Sequence, residues 1–168
     1  MKQTHKLLLL RHGESAWDKP VKDFDRGLTE QGKTDIAAVA EWINQQALTV
    51  DWVVCSPALR TRLTAALLCD QLQPPLAHQL LHFEASIYNA SVDDLINVLS
   101  KQADNVHTLL LVGHNPGLER LLSLLTGQPH APIEPATLIA LELNTDWNAI
   151  LSQPLRLLHR FQPGRQRR

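Results

Sequence analysis

Apolar residues along this chain fall into two alternating kinds of run. Short continuous stretches, Leu7-Leu8-Leu9-Leu10, Trp52-Val53-Val54-Cys55 and Leu109-Leu110-Leu111-Val112, have the length and composition of strands buried on both faces. Together with weaker patterns they predict strands over 5–11, 51–56, 79–83, 107–113 and 137–143, and a less regular one over 155–161. Between them the apolar positions recur at helical spacing. Ile36, Val39, Ala40 and Ile43 form a stripe behind Thr29, an N-cap residue, and predict a helix running to about residue 47. Further helices are predicted over about 58–72, ended by Pro74-Pro75, over about 92–102, and over about 117–126, closed by Gly127 and Pro129.

Regular alternation of strand and helix implies an α/β fold, a single-domain three-layer α/β/α sandwich around a mostly parallel sheet. At 168 residues the whole chain, 1–168, fits one domain with a substantial core. No repeat, linker or low-complexity segment interrupts it. The longest polar segment, Asp18 to Gly27, leaves the end of the first strand and is expected to rim any site there.

Composition removes several function classes. A formal net charge of -1 argues against a broad nucleic-acid or membrane surface, which demands a basic excess. The basic tail Arg165-Gln166-Arg167-Arg168 reads as a solvated terminus. No apolar stretch reaches the roughly 20 residues that span a bilayer. The leucines near the N-terminus are too few for a signal-peptide core and no small-residue cleavage site follows, so a cytoplasmic protein is expected. Cys55 and Cys69 read as reduced core residues. His78 and His82 stand four apart without a third ligand or a zinc signature, so no catalytic metal and no cofactor are expected.

The candidate chemistry sits at strand ends. Arg11-His12-Gly13 follows the first apolar run, and Gly113-His114-Asn115 follows the run ending at Val112. The run ending at Ser56 opens a helix whose first turn carries Arg60. The carboxyl ends of strands in an open α/β sheet are where ligands bind, so two histidines and two arginines are expected to converge on one site. Arginines suit a phosphate, because the planar fork donates paired hydrogen bonds and stays charged. Transferring phosphoryl groups spread negative charge over three oxygens, which fixed cations and donors stabilise. An imidazole among such cations stays neutral and can attack phosphorus through one nitrogen while the other donates to a fixed acceptor. Spacing alone does not decide which histidine attacks.

In order along the chain, Arg11-His12-Gly13-Glu14, Ser56-Pro57-x-x-Arg60-Thr61-x-x-Thr64 and Gly113-His114-Asn115 resemble the histidine phosphatase superfamily, which includes the phosphoglycerate mutases. Chain length and the stretch Ile87-Tyr88-Asn89-Ala90-Ser91 followed by Asp93-Asp94-Leu95 are most similar to its compact, SixA-type phosphohistidine phosphatase branch. The resemblance implies a phosphoglycerate mutase-like fold, His12 as the phosphorylated nucleophile, and Arg11, Arg60, His114 and the close-approaching Gly13 as phosphate binders. Two departures stand out: Asp18 replaces the Asn usual in mutases and is expected to lie outside the phosphate contacts, and Arg26-Gly27-Leu28-Thr29 replaces the usual Arg-Pro-Leu-Thr, leaving Arg26 at the rim.

The general acid is open. Glu84 occupies roughly the place of the acid in relatives acting on sugar phosphates, with Asp93 and Asp94 as alternatives that also fit an acidic helix start. A poorly defined acid favours a phosphoramidate, whose imidazole leaves more readily than an alkoxide. The elements consume nearly the whole chain and leave no insertion for a lid. An open, shallow pocket therefore points to a monomeric phosphatase acting on phosphohistidine of a partner protein, such as a histidine-phosphorylated signalling or phosphotransfer protein. A phosphatase or mutase for small phosphomonoesters and a non-catalytic phosphoprotein-binding module are the rival readings.

Overall fold

A computed structural model describes residues 3–164 of the chain; the basic tail lies outside the described residues. Six strands form one sheet: β1 (His5–Arg11), β2 (Trp52–Cys55), β3 (Leu81–Phe83), β4 (Thr108–Gly113), β5 (Leu138–Leu143) and β6 (Arg156–Phe161). Their order across the sheet is β3-β2-β4-β1-β5-β6. The first four of these run parallel, and β5 lies antiparallel to both of its neighbours. Four helices cover the two faces: α1 (Glu30–Gln45), α2 (Leu59–Gln71), α3 (Val92–Ser100) and α4 (Gly117–Thr126). The expected three-layer sandwich with a mostly parallel sheet is the observed one.

The layering follows from strand periodicity. Leu8 and Leu10 of β1 pack with Ile36, Val39 and Ile43 of α1 and Leu68 of α2. Leu7 and Leu9 pack on the opposite face with Leu95 and Leu99 of α3 and Leu121 and Leu125 of α4. All four leucines are buried, which explains the continuous rather than alternating apolar run. β5 begins level with the end of β1, Leu138 opposite Leu10, and so runs back antiparallel to it, and β6 is antiparallel to β5 because 144–155 holds only a short 3-10 turn at Trp147–Ala149, with no crossover helix. β3 is shorter than 79–83 because His78–Leu80 forms a 3-10 turn.

The start of α1 follows its predicted cap, and α3 has a cap of its own. Thr29 accepts a hydrogen bond from the Gly32 N–H at 3.0 Å, and Ser91 and Asp94 form a reciprocal capping box at the start of α3. Asp94 is therefore a capping residue. α4 ends on Gly127 at φ 68, a left-handed conformation that suits glycine.

Register brings the strand ends together. Arg11 lies opposite Gly113 across the β1–β4 pair, so His12 and His114 each emerge one residue beyond it. The turn after His12 is held from above by α1. A Cβ at Gly13 would lie 2.9 Å from the Gly32 carbonyl oxygen, and one at Gly32 would collide with the Glu14 carbonyl oxygen and sit 2.9 Å from the Glu14 nitrogen. The two glycines let helix and loop touch backbone to backbone. The loop that follows is closed at its base, where Ser15 bridges Leu28 and the Ala16 N–H donates to Gly27 O at 2.9 Å.

Gly32→Ala is expected to destabilise the fold by about 1–3 kcal/mol through forced backbone displacement, despite the helix-propensity gain of about 1 kcal/mol that alanine brings. Gly27→Ala, whose Cβ would meet nothing nearer than 3.8 Å, serves as the tolerated comparison in the same urea titration. Equal midpoints for the two variants would show that the helix–loop approach is not tight.

Candidate active site

At the carboxyl ends of β1, β2 and β4 lies a polar cleft of about 880 Å³ whose walls include Arg11, His12, Asp23, Arg60, Tyr88 and His114. His12 is buried at 6% exposure. Its Nδ1 lies 2.7 Å from the Gly13 carbonyl oxygen, and since a carbonyl only accepts, Nδ1 carries the proton. The Nε2 lone pair is thereby left for the cleft. The ring of His114 stands 5.3 Å from that of His12, with its Nε2 2.7 Å from Ser56 Oγ. Backbone bonds fix this arrangement: His12 N donates to Gly113 O, Ser56 N to Val112 O, and Ala136 N to both Arg11 O and His12 O. Ala136 adopts the left-handed region at φ 58, strain tolerated where its N–H braces the histidine turn. Thr64 Oγ1 accepts from Gly13 N at 3.1 Å, tying that turn to α2.

Three guanidinium groups surround the histidines. Arg11 donates to Ile133 O at 2.7 Å, and Arg60, only 5% exposed, donates to the Asp23 carbonyl at 2.7 Å and to Asp23 Oδ2 at 3.1 Å. Arg26 pairs with Asp23 Oδ1 at 3.2 Å, donates to Ser15 Oγ and lies flat over the exposed Trp17 ring at 3.5 Å. Tyr88 completes the set by donating to Asp23 Oδ2 at 2.7 Å. The Nε atoms of Arg11 and Arg60 are buried and make no hydrogen bond within the protein. Both arginines line the cleft, and guanidinium groups gathered there suit an anion.

Burial, reinforced by the neighbouring arginines, lowers the His12 pKa to about 4. Burial and the nearby His12 and Arg60 lower that of His114 to about 3. Both rings are neutral at physiological pH. The Tyr88 hydrogen bond, followed by the Arg60 charge, holds the Asp23 carboxyl near 2, so it is ionised.

The sequence-predicted residues Arg11, His12, Arg60 and His114 meet in this cleft. Glu84 does not. Its side chain is exposed and lines a separate pocket with Trp52, His82 and Lys101, while its N–H donates to Cys55 O. The reason is topological: β3 is the sheet edge, and the chain runs through the 3-10 turn Ala85–Ile87 before it reaches the cleft at Tyr88 and Asn89. Asp93 and Asp94 belong to the start of α3, and neither they nor Asp18 line the cleft. Asp23 and Tyr88 were not anticipated. Asp23 lies in the polar 18–27 segment expected at the rim, and Tyr88 in the 87–91 stretch, but neither spacing reveals their pairing.

A family model for the histidine phosphatase superfamily (branch 1) matches residues 7–81, which include Arg11, His12 and Arg60. The chain belongs to the histidine phosphatase superfamily. An uncharacterized chloroplastic protein of Arabidopsis thaliana is 32% identical over 132 residues, 74% of this chain and 60% of that protein. The chain thus spans less than two thirds of that relative. An uncharacterized Mycobacterium tuberculosis protein is 31% identical over 116 residues, 69% of each chain. Among solved structures, a candidate phosphohistidine phosphatase SixA from Nakamurella multipartita superposes with TM-score 0.82 at 24% identity, covering 96% of this chain and 97% of that one. The protein histidine phosphatase SixA in complex with tungstate gives 0.80 at 21%, with 94% and 97% covered. The mycobacterial glucosyl-3-phosphoglycerate phosphatase gives 0.64 at 18%, with 92% and 97% covered. Among the described residues no helix is long and apolar enough to cross a membrane.

The depressed histidine pKa values set a stability profile. Below about pH 6.5 the unfolded chain protonates His12 and His114 whereas the folded protein excludes those protons down to about pH 4 and 3, so stability rises with pH across this window. Each histidine adds a slope of up to about 1.4 kcal/mol per pH unit. Urea unfolding at pH 5 and pH 7.5 is expected to show the loss on acidification, and replacement of both residues by Gln should flatten it. A slope untouched by the double replacement would trace the pH dependence to other groups.

Proposed function

We propose that the protein is a metal-independent phosphatase that hydrolyses phosphohistidine on a partner protein through a covalent phospho-His12 intermediate. The observation that carries this reading is His12 itself: a neutral imidazole with Nδ1–H pinned to a backbone carbonyl and Nε2 facing a cleft walled by three guanidinium groups. Attack by Nε2 on phosphorus leaves positive charge on the ring, which the Gly13 carbonyl stabilises through Nδ1–H. Arg11, Arg60 and His114 surround the oxygens of the phosphoryl group, and at an effective dielectric near 20 each cation about 4 Å away contributes on the order of 4 kcal/mol before desolvation. Water then hydrolyses the phosphohistidine. The SixA neighbour is complexed with tungstate, a tetrahedral oxyanion like phosphate, which supports an oxyanion as a ligand of this fold.

The carboxylates in and around the cleft bear on the leaving group. An alkoxide leaving group must be protonated as it departs. Asp23 is held ionised and Glu84 faces elsewhere, while Glu14, the other carboxylate on the cleft wall, accepts a hydrogen bond from the Thr29 hydroxyl at the start of α1. The cleft mouth, with Trp17 78% exposed, admits a phosphorylated side chain presented by another protein.

Rapid-quench labelling with a phosphohistidine-bearing protein should place acid-labile phosphate on His12 and none on a His12→Ala protein. Arg11→Ala, Arg60→Ala and His114→Ala should each lower turnover by about 10²-fold or more, with losses that do not add. Across a panel of sugar and glycerate phosphates, kcat/KM should stay below that for the phosphoprotein. A small phosphomonoester turned over about 10²-fold more efficiently, a gap of about 2.7 kcal/mol, would overturn the phosphoprotein substrate.

A further inference from the structure

The Asp23–Tyr88 pair stands in the cleft wall without a part in binding the phosphoryl oxygens. Asp23 spends Oδ1 on Arg26 and shares Oδ2 between Arg60 and Tyr88. With its side chain about half exposed, it occupies the mouth rather than the floor, where the Arg60 and His12 side chains are buried. The Tyr88 ring packs edge-on against His114 at 5.7 Å and against Phe24 at 5.1 Å, which holds the phenol beside the reacting region. Its single O–H is committed to Asp23. A phenol oxygen whose proton is so engaged can only accept, and donation to an ionised carboxylate makes it a stronger acceptor.

We propose that the Tyr88 hydroxyl, polarised by Asp23, receives the N–H of the departing imidazole and so selects phosphohistidine over alkyl phosphomonoesters. This rests on the phospho-His12 reading above. In the transfer, the His12 Nε2 lone pair forms a new P–N bond while the substrate's P–N bond breaks, its electron pair staying on the substrate nitrogen. The substrate binds with its other ring nitrogen already protonated in equilibrium with bulk solvent and keeps that proton, so the group leaves as neutral imidazole with its N–H on Tyr88 Oη. The negative Asp23 behind the phenol favours this protonated form, as an opposite charge near a cationic ring does. An alkoxide needs the reverse, a donor aimed at its oxygen, and Tyr88 has none to give. The raised Tyr88 pKa, caused first by the Asp23 hydrogen bond, agrees with a proton that stays in place.

The test is a leaving-group comparison on Tyr88→Phe, which removes the acceptor and leaves the Asp23–arginine pairs intact. Its kcat/KM loss on a phosphohistidine peptide is expected to exceed by at least about tenfold its loss on 4-nitrophenyl phosphate, whose leaving group requires no proton, the margin a hydrogen bond to a charged group supplies. Asp23→Asn, which keeps the phenol but removes the charge, should split the two substrates in the same direction, and provides the second arm if Tyr88→Phe folds poorly. Equal losses on both substrates would reduce the pair to a support for Arg60 and overturn the inference, while the phosphatase reading stands as long as the native enzyme labels His12 from the same peptide. Failure of the native enzyme to label His12 would overturn that reading and this inference with it.

Discussion

Three guanidinium groups held beside two histidines are the constraint on which the cleft depends. Arg60 and Arg26 are nearly inaccessible to solvent, and burying a charge without compensation costs several kcal/mol. Asp23 supplies the compensation, paired with both at 3.1–3.2 Å. Asp23 pairs with only two of the three, Glu134 and Glu119 face Arg11, and at the His12 ring the three arginine charges act together as a positive surplus. That surplus and the burial have one effect with two uses: they keep the imidazole unprotonated, hence nucleophilic, and they favour a dianionic ligand in its place.

Such a cluster is only as effective as the backbone that aims it, because misplacement by an ångström forfeits much of a preorganised interaction. Aim comes from strand register. The His12 and His114 rings are 102 positions apart in the chain, yet pairing of Arg11 with Gly113 brings their centroids to 5.3 Å. Gly13 and Gly32 then clamp the turn from above, Ala136 braces it from the side, and Thr64 links it to the helix that carries Arg60. Each contact is backbone to backbone or side chain to backbone, which leaves each histidine ring with a single hydrogen bond to fix it.

The order of strands and helices was legible because burial on both sheet faces writes continuous apolar runs, and the helix stripes carry a different period. The convergence of Arg11, His12, Arg60 and His114 was legible for a related reason: three buried strands end in them. Glu84 misled because position after a strand was read without knowing the strand's place in the sheet; β3 is at the edge, two strands from β1's neighbour in chemistry, β4, and its end opens onto another pocket. Asp23 was invisible for the opposite reason. It sits in a polar loop among Asp18, Lys19, Lys22 and Asp25, where composition gives no hint which carboxylate turns inward. The Phe24 ring packed on Tyr88 and the Asp23 contacts with Arg60 and Tyr88 decide it, and these are tertiary.

A carboxylate in this position carries a consequence for the chemistry that a phosphate site with arginines alone would lack. Were Asp23 an apolar residue, the cations could still face a phosphoryl group, but Arg60 and Arg26 would lose the carboxylate that offsets their burial and Tyr88 would lose the acceptor that commits its proton. With Asp23 ionised and Tyr88 donating to it, the inner floor is built of donors and the outer wall presents an acceptor. The cleft is thus polarised along its depth, and on the proposed phosphatase reading its donors meet the anion and its acceptor meets the leaving group. On that reading the gradient suits a zwitterionic substrate, a phosphoryl dianion on a protonated imidazole, better than a phosphomonoester, whose bridging oxygen needs a donor as it departs.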